Sequence, residues 1–126
     1  MVIQESAENY FETILVLTKK NGNVRSIDIV NELNFSKPTV SIAMKHFREN
    51  GYIVIDENGY ITLTDKGMDI AKKVYERHEL IAELLMYLGV DEETAYEDSC
   101  KIEHAISDKS FEIIKKKYKE MKEKQS

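Results

Sequence analysis

Cys100, Glu103 and His104 fall at i, i+3 and i+4 of the stretch Asp98-Ser-Cys-Lys-Ile-Glu-His-Ala-Ile-Ser107. A helix there would present a thiol, a carboxylate and an imidazole from one face within a single turn. Borderline-soft divalent ions favour that mixture of sulfur, oxygen and nitrogen, so the triplet reads as half of a metal site. Cys100 is the only cysteine and His104 one of three histidines. A lone thiol cannot close an intramolecular disulfide, which leaves it structural, reactive or a ligand. The same spacing also suits a small buried hydrophobe beside two surface polar residues.

The elements that must position these groups can be read along the chain. Its 126 residues allow one domain or two small ones sharing a helix, and 42% hydrophobic with 33% charged residues describes a soluble globular protein. No apolar run approaches bilayer length and Met1-Val-Ile-Gln-Glu lacks a basic secretion start, so the expectation is a cytoplasmic chain with no membrane partner. Ser6 is the expected N-cap of a first helix with Tyr10, Phe11, Ile14, Leu15 and Leu17 on its apolar face. Lys19-Lys-Asn-Gly-Asn23 ends it. Ser26 starts a short helix with Ile27, Val30 and Leu33 inward, and Asn34-Phe35 turns the chain into another near Ser36, a helix-turn-helix pattern.

The helix from Lys37 to about Asn50 has Val40, Ala43, Met44 and Phe47 inside, with Ser41, Ile42, Lys45 and part of Arg48 pointing away. Pro38 suits its first turn. Ser36, Lys37, Thr39 and Ser41 crowd the end that enters the major groove in a helix-turn-helix, where Ile42 could meet thymine methyls. An ordinary amphipathic helix with a hydroxyl cap would show the same residues. Tyr52 to Thr64 then reads as two β-rich runs around Asn58-Gly59, a hairpin signal that turns the three helices into a winged helix. The net charge is −5, yet Arg25, Lys37, Lys45, His46 and Arg48 gather in this half, whereas Glu76 to Glu103 is acidic.

Thr64-Asp-Lys-Gly67 caps a long helix through about Leu88, with Ile70, Val74, Ile81, Leu84, Leu85 and Leu88 at core spacing and His78 at the border of that stripe. Gly89 closes it and Asp91-Glu-Glu93 starts the helix that carries Cys100. A last helix from about Asp108 repeats Phe111, Ile114, Tyr118 and Met121, a stripe that could pack within the domain or against a second copy. The expected fold is mainly α with a small β-hairpin.

In this order and spacing, Ala7-Glu-Asn-Tyr-Phe-Glu12, Ser36-Lys-Pro-Thr-Val-Ser41, Leu63-Thr-Asp-Lys-Gly67, Arg77-His-Glu-Leu80, Leu88-Gly-Val-Asp91 and Cys100-Lys-Ile-Glu-His104 resemble the diphtheria-toxin-repressor family of metal-dependent transcriptional repressors. The resemblance implies a winged helix-turn-helix over residues 1–66, joined by a long helix to a helical metal-binding and dimerisation domain over 67–126. It implies a homodimer that binds a palindromic double-stranded DNA operator when loaded with Fe(II) or Mn(II), one or two ions per subunit, and represses metal-homeostasis genes. Carried over by position, the ligands are Asn9, Glu12, His78, Cys100, Glu103 and His104, and the DNA-facing residues are Arg25, Ser36, Lys37, Pro38, Thr39, Ser41, Ile42, Lys45 and Arg48.

In length, and in Glu12 and His78, the chain resembles the short manganese-responsive branch, which lacks the SH3-like third domain of the iron-responsive one. Cys100 stands where that branch has a glutamate, an iron-branch feature, because thiolate favours softer ions than Mn(II). Asn9 replaces an aspartate of the manganese branch and a methionine of the iron branch, removing one negative charge. Ala82 and Tyr96 fall where the iron branch has ancillary ligands, with Glu83 one residue out of register. Two rivals use the same residues differently. A metal-independent winged-helix regulator treats the six polar positions as incidental. A small metalloenzyme would need an open coordination position and a substrate cleft, and the sequence offers no Gly-rich phosphate loop, no His-Glu-x-x-His motif and no nucleophile with an evident partner.

Overall fold

The computed structural model describes residues 5–125, with elements α1 (Glu5–Asn21), α2 (Ser26–Leu33), α3 (Lys37–Glu49), β1 (Ile53–Ile55), β2 (Ile61–Leu63), α4 (Asp65–Tyr87), α5 (Glu92–Ala105) and α6 (Asp108–Gln125). The class is the expected one, helical with a single small antiparallel sheet. Two compact units divide the chain, the first ending at Lys73 and the second beginning at Val74. Among the described residues no helix is long and apolar enough to cross a membrane.

The first unit is a winged helix built on an aromatic core. Phe11 of α1 lies 4.7 Å from Phe47 of α3 and 5.2 Å from Tyr52, and Tyr10 meets Phe47 edge-on at 5.5 Å. Ile14, Ile29, Val40, Met44, Ile53 and Ile61 complete the buried set. Each of the three helices thus contributes its apolar stripe, the burial that holds short helices in place. Asn34, in the left-handed conformation at φ 57°, makes the turn from α2 into α3. Ser36 caps α3 by accepting from the Thr39 amide at 3.3 Å, with Pro38 in the first turn.

The wing pairs Ile53 with Leu63, Val54 with Thr62 and Ile55 with Ile61. Its loop is one residue longer than a two-residue Asn58-Gly59 turn: the Asp56 amide donates to the Tyr60 carbonyl, leaving Glu57, Asn58 and Gly59 in the loop. Asp56 Oδ1 accepts from both the Asn58 and Tyr60 amides at 2.9 Å, and Gly59 takes the positive φ of 81° that such a loop requires. The Ile61 amide also donates to Val24 O at 2.7 Å, tying the wing to the α1–α2 connection.

Thr64 caps α4: its Oγ1 accepts from the Gly67 amide at 3.2 Å and donates to Gly51 O at 2.7 Å. In the second unit Val74, Ile81, Ala82, Ala95, Phe111 and Tyr118 are buried. Asp91 caps α5 through the Thr94 amide at 3.0 Å, and those hydrogen bonds from Thr94 hold its carboxyl below the usual carboxylate range.

Four positions depart from the sequence reading. Ser6 lies inside α1, not at its cap. Ile27, in the first turn of α2, is 43% exposed because Ile29 takes the inward position. Leu88 is 66% exposed, since α4 ends at Tyr87 and the stripe no longer applies beyond it. Met121 is exposed as well, so the inward stripe of α6 is Phe111, Ile114 and Tyr118.

Candidate metal centre and DNA-binding surface

In the second unit, α4 and α5 bring His78, Glu103 and His104 together. Glu103 is fully buried, and its two carboxylate oxygens face two imidazoles: His78 Nδ1 is 2.9 Å from Oε2 and His104 Nε2 is 3.2 Å from Oε1. The His104 side chain is itself only 2% exposed. A charged group taken out of water is tolerated only when it is paired, hydrogen-bonded or metal-bound. A buried carboxylate between two imidazole nitrogens is therefore a fitting donor set for a borderline divalent ion.

The helices that carry these groups are locked by polar contacts the sequence did not announce. Ser99 Oγ donates to the His78 carbonyl at 2.5 Å, and the Tyr96 ring packs 5.5 Å from His78. Tyr96 donates its hydroxyl to Glu79 Oε2 at 3.1 Å. Burial first, and then Glu79, push the phenol above its ordinary pKa. Arg77 is buried and donates through Nη1 to Glu103 O at 3.3 Å and Ile106 O at 3.0 Å, pairs with Asp108, and stands over the Phe111 ring. It therefore fixes the end of α5, where Glu103 and His104 sit, to α4 and to the start of α6. The signal was present in spacing: Arg77 lies three residues after Val74 and four before Ile81, inside the buried stripe.

Arg77→Met would keep the stem over Phe111 but leave those carbonyls without their donor, a loss of about 2 kcal/mol in urea unfolding. Asp108→Asn, at a side chain 70% exposed, should lose less than about 1 kcal/mol. Equal losses in the two variants would remove the carbonyl contacts from this account.

The remaining ligand candidates are Cys100 of the second unit and Asn9 and Glu12 of the first. Cys100 is exposed on α5, one turn before Glu103, beside Tyr96, Glu97 and Lys101. The i, i+3, i+4 triplet thus divides between a buried carboxylate and imidazole and an exposed thiol. Asn9 and Glu12 are half-buried on α1 of the first unit.

On that first unit, α3 has two contrasting faces. Val40, Met44 and Phe47 are buried, whereas Ser36, Lys37, Pro38, Thr39, Ser41, Ile42, Lys45 and Arg48 are all exposed. Arg25 precedes α2 and is exposed too, its guanidinium held 4.6 Å over the Tyr60 ring of the wing while its amide donates to Asp28. Hydroxyls, cations and an aliphatic group at the start of an exposed second helix are what groove entry requires.

Residues 3–61 match the domain described as iron dependent repressor, N-terminal DNA binding domain, and residues 64–125 the one described as iron dependent repressor, metal binding and dimerisation domain. The chain belongs to the iron-dependent repressor family. This is the metal-dependent repressor family that the sequence motifs resemble, and its members are DNA-binding transcriptional regulators, not enzymes. Among curated relatives, an uncharacterized HTH-type regulator of Methanocaldococcus jannaschii is 36% identical over 90% of this chain and 92% of its own length. The HTH-type transcriptional regulator MntR of Lysinibacillus sphaericus is 35% identical, covering 86% of this chain and 78% of its own. Among solved structures, the manganese regulator SloR superposes with a TM-score of 0.77 at 26% identity over 94% of this chain, which spans 55% of the SloR chain. The chain thus matches both parts of the family, a DNA-binding domain followed by one for metal binding and dimerisation.

Proposed function

We propose that this repressor is a metal-responsive switch: a homodimer that occupies a palindromic operator of metal-homeostasis genes in the cytoplasm when loaded with Fe(II) or Mn(II). The observation that carries the reading is the buried Glu103 carboxylate between His78 and His104, within the domain matched to metal binding. Asn9 and Glu12 of α1, with Cys100, complete the donor set, in one site or two per subunit. The functional division falls at 66/67, with the winged helix before it and the helical metal-binding and dimerisation domain after it. When bound, the metal supplies positive charge to which donors from both domains can be held at once. Ligands drawn from α1 and from α4 and α5 would then order the winged helix, coupling metal to DNA by about 1–3 kcal/mol, the usual range of allosteric coupling. The DNA face consists of Arg25, Ser36, Lys37, Pro38, Thr39, Ser41, Ile42, Lys45 and Arg48, whose cations engage phosphates.

The test is anaerobic binding to the DNA upstream of the protein's own gene, at one salt concentration, with no metal, with Fe(II) and with Mn(II). Binding that needs metal supports the switch. Equal binding in all three leaves a metal-independent winged-helix regulator. Cys100→Glu replaces a soft donor with a hard one and should move the Mn(II)-to-Fe(II) activation ratio towards Mn(II) by on the order of tenfold. An unchanged ranking would remove Cys100 from metal selection.

A further inference from the structure

Ile42 is the most exposed large hydrophobic residue among those described, 71% open on the outer face of α3. It is not a stray core residue, because Val40, Met44 and Phe47 already fill the inward stripe of the same helix. At helical spacing its neighbours on that face are Pro38 and Thr39 one turn before and Lys45 and His46 one turn after, all exposed, and the first turn carries no acidic residue. An aliphatic group set among a hydroxyl, a lysine and an imidazole on a helix face that also bears no core residue matches a duplex groove better than an apolar protein surface. On that outer face Thr39 and Ser41 offer single hydroxyls, and none of the exposed groups flanking Ile42 is an asparagine or glutamine able to grip adenine through two hydrogen bonds. The one apolar feature that a base pair presents in the major groove is the thymine methyl.

We propose that Ile42 is a specificity-determining residue that reads a thymine methyl group in each operator half-site. The inference rests on the DNA-binding reading above and assigns a chemistry to one position within it. Ile42 Cβ, Cγ and Cδ atoms lose water against the methyl group, while the neighbouring cations hold the backbone and set the depth of the helix. Burying one methyl is worth roughly 0.8 kcal/mol, about fourfold in affinity, so a dimer with one contact per half-site should lose about fifteenfold when both methyls are removed.

The experiment compares the upstream DNA made with thymidine and the same fragment made with deoxyuridine, which lacks only the methyl. Both are bound to the full-length, Mn(II)-loaded wild type and to Ile42→Ala. The exposed position keeps the variant folded, checked by circular dichroism. The wild type should lose about fifteenfold on the uracil DNA, and Ile42→Ala should bind both fragments within about twofold. Equal losses for the two proteins would place the methyl effect on other residues or on DNA shape and overturn the assignment. No loss for the wild type would overturn it as well, while leaving the DNA-binding reading intact. Failure of the wild type to bind either fragment under any metal would remove both readings together.

Discussion

Glu103→Gln is expected to cut metal-dependent operator binding by about tenfold at a metal concentration about ten times the wild type's dissociation constant. The Glu103 side chain is excluded from solvent and both its oxygens face imidazole nitrogens. Glutamine keeps the shape but gives up the charge, and its amide nitrogen turns a donor towards a position that must supply an electron pair. A loss of about 100-fold in metal affinity corresponds to about 2.7 kcal/mol. The same figure appears in stability. Mn(II) at about 100 times its dissociation constant should stabilise the wild type by about 2.7 kcal/mol, whereas a variant weakened 100-fold keeps only about 0.4 kcal/mol. Without metal the sign differs, because a buried carboxylate is costly to desolvate and a neutral amide less so. The metal-free variant should therefore be as stable as the wild type or slightly more so. Urea unfolding of both proteins, with and without Mn(II), separates the two effects. Undiminished stabilisation of the variant by Mn(II) would take Glu103 out of the metal centre.

Why some of this was legible in the sequence follows from where the determining interactions lie. Ser36 and Pro38 act within one turn of α3, so residue type alone announced the cap. The hairpin was announced by Asn58-Gly59, but its loop length was set by Asp56, whose carboxylate takes two amides. No dipeptide signal contains that information. Hydrophobic periodicity located α4 and overran its end at Leu88, because a period carries no stop of its own. In α5 periodicity failed for a different reason. Its buried residues are Ala95, Ser99 and Glu103, a stripe at intervals of four in which one member is small, one polar and one charged. Chemistry, not hydropathy, pointed to Glu103 and His104. Arg77 stands in the Arg77-His-Glu-Leu80 motif, but nothing local reveals its role, since its carbonyl partners lie 26 and 29 residues away.

Gly67→Ala should destabilise the first unit by about 3 kcal/mol or more, the upper end for overpacking. A methyl at this position would stand 2.2 Å from the Tyr52 carbonyl oxygen and 3.1 Å from Leu63 Cδ2. The close neighbour is backbone and cannot swing aside. The same oxygen accepts from the Thr64 amide at 3.0 Å, and the Tyr52 ring sits in the core against Phe11. Relief of the clash therefore requires moving either the start of α4 or the entry to the wing. Helix propensity acts in the opposite direction, since alanine is favoured over glycine by up to about 1 kcal/mol in a helix interior and by less in the first turn. Nor is positive φ involved, because Gly67 is helical, so the effect isolates close packing from backbone strain. A lowered urea midpoint with an unchanged slope would register it as lost native stability. A variant as stable as the wild type would mean that Tyr52 and α4 can separate freely, and that the Leu63-Thr-Asp-Lys-Gly67 stretch needs its glycine for something other than this approach.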